Sequence, residues 1–233
     1  MLAQNPFDKG NALYRKGNYA GAAQEYESII KSHKESAELY FNLGNTYYKL
    51  DKVAPAIFNY EKSLLLNPGN KDTEVNLGFA QKMVIDDIKA VPKVGFAKVL
   101  YGITGNYHYN TWGWIAVSFS ALFLLLFLGY YLAGTTLLKR LFFTGMGIVL
   151  LGIVLSILSA VFVKAQENNR HPAIVFAEVT AVKAEPNDKA QDAFILHEGT
   201  KVNVLKTLDN WKKIQLADDR VGWIEQGAIR EVK

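Results

Sequence analysis

Two long runs without a charged side chain limit the possible folds of this chain more than any other feature of its 233 residues. The runs cover residues 112–138 and 141–163, and only Lys139 and Arg140 separate them. Each exceeds the roughly 20 residues that a helix needs to cross the hydrocarbon of a bilayer. Neither run has the polar face of a soluble helix. The sequence therefore predicts two transmembrane helices joined as a hairpin.

The distribution of charge and of aromatic residues agrees with an embedded middle third. No Asp or Glu lies between Ile88 and Gln166, so the net charge of +4 arises in this region. Amphipathic rings favour the headgroup layer of a membrane, and a cluster of them precedes the first run: Tyr107, Tyr109, Trp112 and Trp114. We expect membrane lipid around this region and no nucleic acid as a partner.

The two basic residues between the runs predict an orientation. Short loops follow the positive-inside bias most closely, so Lys139 and Arg140 place this loop in the cytoplasm and both soluble segments outside. The N-terminal stretch "MLAQNP" is not a full signal peptide, although Ala3 is consistent with the tail of one.

Residues 93–111 lead into the first run and are predicted to form an interfacial linker. Apolar residues stand at helical spacing in this stretch at Phe96, Val99, Leu100 and Ile103. A short helix with such a face can lie in the headgroup layer. Packing of the same face against the N-terminal domain is the alternative.

The first third of the chain repeats itself every 34 residues. Gly10, Gly44 and Gly78 stand at this interval. With them aligned, further residues match in pairs: Asn11 with Asn45, Tyr14 with Tyr48, Ala22 with Ala56 and Tyr26 with Tyr60. Glycine inside a helix costs about 0.5–1 kcal/mol relative to alanine. We therefore expect each glycine to mark a contact that has no room for a Cβ atom.

A period of 34 residues with two helical patterns per unit resembles the tetratricopeptide repeat family. The likeness is most specific in the second unit, at Tyr40, Leu43, Gly44, Tyr47, Ala56, Tyr60 and Pro68. In the first unit, Pro6 and Lys9 depart from the consensus. We predict a repeat domain over residues 3–91, with units 3–36 and 37–70 and a capping helix over residues 71–90.

The resemblance implies a concave groove that binds partner proteins and is lined by the first helix of each unit. Carried over to this chain, the groove positions are Phe7, Asn11, Tyr14, Arg15, Glu38, Phe41, Asn45, Tyr48, Lys49, Val75, Phe79 and Lys82. One version of this groove grips a C-terminal carboxylate with two asparagines and several cations. Asn11 and Asn42 match its asparagines, but Phe7, Asp72 and Asn76 stand where its cations belong. A different peptide or protein surface is therefore expected.

The last third, residues 173–233, has the sequence pattern of a small β-domain. Val202 and Val204 alternate with polar residues, and "ADDR" before "VGWI" predicts a hairpin turn. About five short strands are expected in a small barrel. The order of "VKAEPND", "LHEGTKVNVL", "NWKKIQL", "GWI" and "AIREV" resembles the bacterial SH3-like domain. Trp211 and Trp223 either support its core or line a cleft for a peptide or a cell-wall glycopeptide.

The sequence contains no pattern typical of an enzyme. Cysteine is absent, and the four histidines stand in different segments. The pairs Asp86-Asp87 and Asp218-Asp219 are interpreted as solvated charge. No metal, cofactor or catalytic residue is therefore predicted.

The combined fold class is a multidomain membrane protein with an all-α tetratricopeptide stack, a transmembrane helical hairpin and an all-β SH3-like barrel. This order resembles the BatE-like proteins of the Bacteroides aerotolerance operon. The resemblance implies a bacterial inner-membrane scaffold with periplasmic soluble domains. The partners it implies are von Willebrand factor A-domain membrane proteins and a MoxR-type ATPase system. The alternative function is a receptor that tethers peptidoglycan through the SH3-like domain.

Overall fold

The computed structural model describes residues 5–89, 91, 102, 104, 107–168 and 170–233. The chain divides into two compact units. The first unit combines residues 1–91 with residues 170–233, and the second comprises residues 92–169. The predictions for Ala3 and for the apolar face at residues 96–103 lie outside the described residues.

Five helices form the repeat stack: α1 (Pro6–Arg15), α2 (Tyr19–Lys31), α3 (Ala37–Lys49), α4 (Val53–Leu66) and α5 (Lys71–Gln81). Short polar residues begin four of them, because a side-chain oxygen satisfies an N–H group that the first turn leaves unpaired. Ser36 and Asn70, one repeat apart, accept such bonds from the backbone N–H groups of Leu39 and Thr73. The capping helix predicted over residues 71–90 ends at Gln81.

Gly10 and Gly44 confirm the expected close contacts between paired helices. A Cβ atom built on Gly10 would lie 2.5 Å from the ring of Tyr26, and one on Gly44 would lie 2.7 Å from the ring of Tyr60. At Gly78 the same expectation is wrong for the described residues, none of which comes within 4 Å of an added Cβ. The third unit has no described second helix to carry the equivalent tyrosine.

Among its described residues, the second unit contains two helices that are long and apolar enough to cross a membrane, α6 (Tyr109–Leu132) and α7 (Thr136–Asn168). The predicted loop at Lys139 and Arg140 is wrong, because both residues lie inside α7. The chain turns earlier, where Ala133 adopts an extended conformation ahead of Gly134. Thr135 Oγ1 then accepts a bond of 3.4 Å from the N–H of Leu138. A lack of charge indicates where a segment partitions, but it does not locate a break in the helix.

Small residues let α6 and α7 pack closely. Ser156 is buried, and an added Cβ on Gly152 would lie 3.1 Å from the ring of Phe119. Near the turn, an added Cβ on Gly129 would lie 2.7 Å from the ring of Phe142. The small-residue face of α7 therefore contacts its neighbour within the chain.

The C-terminal sheet domain, residues 170–233, is an open antiparallel sheet consistent with an SH3-like domain. Its seven strands are ordered β3-β2-β6-β5-β4-β1-β7, instead of the five expected. They are β1 (Pro172–Val175), β2 (Val179–Lys183), β3 (Asp192–His197), β4 (Lys201–Leu208), β5 (Trp211–Gln215), β6 (Val221–Glu225) and β7 (Ile229–Glu231). The predicted turn before Val221 is confirmed, with Asp219 at φ 66° between β5 and β6.

Candidate functional site

A hydrogen-bonded triad is centred on Asn11 of α1, the first helix of the first unit. Asn11 Oδ1 accepts a bond of 2.6 Å from the Tyr26 hydroxyl and a bond of 3.1 Å from Asn42 Nδ2. Burial raises the pKa of Tyr26 to about 12, so its hydroxyl keeps the proton that it donates. The triad joins α1, α2 and α3, because each helix supplies one of its members.

The same triad recurs one repeat later. Asn45 Oδ1 accepts a bond of 2.7 Å from the buried Tyr60 hydroxyl and a bond of 2.8 Å from Asn76 Nδ2. In both triads the asparagine oxygen is occupied twice. Among the described residues, no acceptor engages the Nδ2 group of Asn11 or Asn45. These two amides therefore remain as donors for a ligand at matching positions of successive units.

A pocket of about 260 Å³ opens over the first triad and reaches Asn45 of the second. Its lining consists of Asn11, Tyr14, Arg15, Tyr26, Asn42 and Asn45. The ring of Tyr14 is fixed by an edge contact with Tyr19 at 5.2 Å between centroids. Arg15 is exposed and adds a positive charge at the rim. The structure thus brings four residues predicted from the sequence into one concave site: Asn11, Tyr14, Arg15 and Asn45.

The other groove positions divide into packed and exposed residues. Phe7 and Phe41 are half-buried, with their rings 5.9 Å from Tyr26 and 6.3 Å from Tyr60. Both therefore support the helix pairs as well as facing the groove. Tyr48 is half-buried as well. The exposed positions are Glu38, Lys49, Val75, Phe79 and Lys82, with the Lys82 ammonium 5.3 Å from the centre of the Phe79 ring.

The two tryptophans of the sheet domain share its outer face. Ile214 and Ile224 point to the buried side, so alternation along the strands places Trp211 and Trp223 on the opposite side. Both rings are half-buried, and Lys213 lies 5.9 Å from the centre of the Trp223 ring. This position fits either role considered for the tryptophans.

The interpretation of Asp86 as solvated charge is wrong, because its side chain bonds to the sheet domain. Its carboxylate accepts a bond of 2.5 Å from Thr200 Oγ1 and one of 2.8 Å from the backbone N–H of His197. The Nδ1 atom of His197 lies 2.8 Å from the other oxygen. Its side chain is 12% exposed, against 85% for Asp87. Nothing in the sequence marks Asp86, since its partners lie more than 100 positions away along the chain.

These hydrogen bonds also control the ionisation of Asp86. Burial alone would raise the pKa of its carboxyl group, because the charged form loses water. The bonds from Thr200 and from the backbone and ring of His197 outweigh burial and hold the pKa below its usual value. Asp86 is therefore ionised at neutral pH and ties the repeat stack to the sheet domain.

Comparison with protein families identifies the repeats. Residues 10–51 match the family model described as TPR repeat, and residues 37–70 match the model described as Tetratricopeptide repeat. The second match has the bounds predicted for the second unit. No curated protein matched the chain. The chain thus contains tetratricopeptide repeats, which indicates a protein–protein interaction module.

Proposed function

We propose that this chain is a non-enzymatic, membrane-anchored scaffold that binds partner proteins through the groove of its repeat stack. The observation that supports this proposal is the pocket over the first asparagine triad, which also reaches Asn45 of the second. It offers the amide donors of Asn11 and Asn45 beside the charge of Arg15. A protein segment that presents backbone carbonyls and acidic side chains to the pocket fits this set of donors.

The finer assignment follows the resemblance to BatE-like proteins. In this proposal the scaffold works in an aerotolerance or stress-related complex at a bacterial inner membrane, with both soluble segments in the periplasm. Its partners are von Willebrand factor A-domain proteins and a MoxR-type ATPase system. The two apolar helices supply the anchor, since both are long enough to span the bilayer.

A photo-crosslinking amino acid at Lys82 in native membranes tests the groove. We expect A-domain proteins among the crosslinked products. Double reversal of the exposed groove cations, Arg15→Glu with Lys49→Glu, should remove them. The matched control, Lys31→Glu with Lys34→Glu, changes two exposed cations outside the predicted groove positions and should leave the products unchanged. Equal loss in both double variants would contradict the proposed site.

The identity of the crosslinked proteins distinguishes the proposed partners from the proposed use of the groove. If other proteins are crosslinked and are lost only in the groove variant, the groove function stands and the aerotolerance assignment fails. A second variant, Phe79→Ala, removes an exposed ring without changing charge. Its control is Leu66→Ala, because both side chains are about half exposed, at 49% and 47%.

Tethering of peptidoglycan is the second candidate, and the outer-face position of the two tryptophans favours it. Partly exposed aromatic rings can stack on sugar faces or cover a peptide. Purified sacculi should then retain the full-length protein in detergent, and Trp211→Ala should release it. Retention that survives both Trp211→Ala and Trp223→Ala would exclude this role of the sheet domain.

A further inference from the structure

The apolar core of the repeat stack is completed by residues of the sheet domain. Ile174 and Val232 are fully buried, and both pack in the same cluster as Ile57, Tyr60 and Leu77 of α4 and α5. The ring of Phe176 also meets Phe58 edge-on, at 5.6 Å between centroids. Strand β1 and the residues directly after β1 and β7 therefore take part in a core that the repeat helices would otherwise leave exposed.

The sheet domain receives a contact that belongs to the next unit in the repeat pattern. In the first unit, Glu27 of α2 binds the hydroxyl of Tyr47 in the following unit. One repeat later, Glu61 of α4 binds Lys201 Nζ of the sheet domain at 2.6 Å. Equivalent glutamates thus reach forward to a repeat helix in one case and to a strand in the other.

Gly199 lies directly against apolar side chains of the repeat stack. An added Cβ there would lie 2.8 Å from Val53 Cγ1, 2.9 Å from Val84 Cγ2 and 3.2 Å from Ile57 Cδ1. Its φ of 84° also lies in the region that favours glycine. Both the backbone conformation and the contact therefore require glycine at this position.

The chain after α5 is held along the same surface. Asp86 accepts its hydrogen bonds from His197 and Thr200, on either side of Gly199. Ile88 packs against the core of the sheet domain, and the N–H of Val91 donates to the carbonyl of Ala217 at 3.0 Å. This segment therefore joins α5, which carries the predicted groove residue Phe79 and is followed by Lys82, to the sheet domain.

We propose that the sheet domain is the closing cap of the repeat stack and that its docking through Asp86 and Gly199 holds α5 in position. The cap packs against α4 and α5, where a further repeat helix would pack in a longer stack. The last wall of the groove therefore exists only while the sheet domain is docked. This coupling goes beyond partner binding and does not depend on which partner binds.

Hydrogen exchange of the full-length protein in lipid nanodiscs tests the coupling. Gly199→Ala should raise the exchange rate of the α5 amides by about tenfold, because the free energy of local opening falls when a docking contact is disturbed. Gly227→Ala is the matched control in the same domain, since no described atom comes within 4 Å of its added Cβ. Faster exchange confined to the sheet domain, with α5 unchanged, would overturn the proposal.

If the Gly199→Ala protein fails to fold, a second set of variants tests the same proposal. Thr200→Val removes one donor to Asp86, whereas Thr200→Ser keeps it and should restore slow exchange in α5. The chain has no cysteine, so Asp86→Cys with Thr200→Cys introduces one defined pair. Joining this pair with a short thiol crosslinker should slow the exchange of α5 below that of the unlinked double variant. No difference between linked and unlinked protein would also contradict the cap.

Discussion

Gly10, Gly44 and Gly78 occupy one position of the repeat, yet only the first two meet a tyrosine ring among the described residues. The reason is that the close contact needs a second helix, and no second helix of the third unit lies among the described residues. The same residue type therefore has two different effects on stability. In the first two units it removes a clash, and in the third it only weakens a helix.

Alanine substitution at these positions should have opposite effects. Gly44→Ala should lower the free energy of unfolding, since overpacking costs about 1–3 kcal/mol. Gly78→Ala should raise it by about 0.5–1 kcal/mol, because alanine is the better helix former. Urea unfolding in detergent, followed by far-UV circular dichroism, measures both values. Two changes of the same sign would show that Gly78 also makes a close contact.

Elements of this chain begin and end where local chemistry sets them, not where the apolar pattern stops. The turn between α6 and α7 lies at Ala133–Thr135, although the uncharged run continues to residue 138. The closeness of the two helices depends on Gly129, which lies under the ring of Phe142. Helix pairs in lipid gain from such close approach, because lipid provides no hydrophobic force between them.

Gly129→Ala should loosen the helix pair, because its Cβ would lie 2.7 Å from the Phe142 ring. Ser156 is 2% exposed between the helices, and the chain has no cysteine, so Ser156→Cys provides a single buried reporter. Labelling of this thiol by a maleimide in micelles should become faster in Gly129→Ala. Gly147→Ala should leave it unchanged, since no described atom approaches that position. Equal labelling rates in the two variants would count against this packing.

The first compact unit of the molecule combines the two ends of the chain. Asp86, Glu61 and Ile174 connect segments that lie more than 80 residues apart in the sequence. The repeat domain and the sheet domain, which the sequence predicted as two domains, are thus parts of one compact unit. An ionised carboxylate at its junction makes this unit sensitive to acid.

The free energy of unfolding should decrease as the pH is lowered, because Asp86 becomes protonated. Its pKa is lower in the folded protein than in the unfolded chain, so its contribution is full above the unfolded value of about 3.9 and is lost as pH falls through the folded value. The difference in unfolding free energy between the natural protein and Asp86→Asn should therefore shrink between pH 6 and pH 3. Asp87→Asn, at an exposed neighbour, should show no such change. Denaturant titrations at several pH values measure the difference.

Much of the architecture was predictable because it depends on periodicity and composition. The 34-residue interval predicted the repeat stack, the uncharged runs predicted the two candidate membrane helices, and alternation with turn residues predicted the sheet domain. The pairing of Asn11 with Asn42 and of Asn45 with Asn76 was not predicted, since side-chain geometry depends on how helices pack. The groove residues remain predictions, which the crosslinking experiment above can test.

The sequence by itself determined which segments are repeat helices, apolar helices and strands, because each pattern is read from neighbours within one or two turns. Only the tertiary structure decided that the sheet domain docks on the repeat stack. Docking depends on shape and on contacts between distant residues, such as Gly199 against Val53 and Asp86 against Thr200. No local pattern encodes such pairs, because a glycine after a strand and an aspartate after a helix are common in any chain.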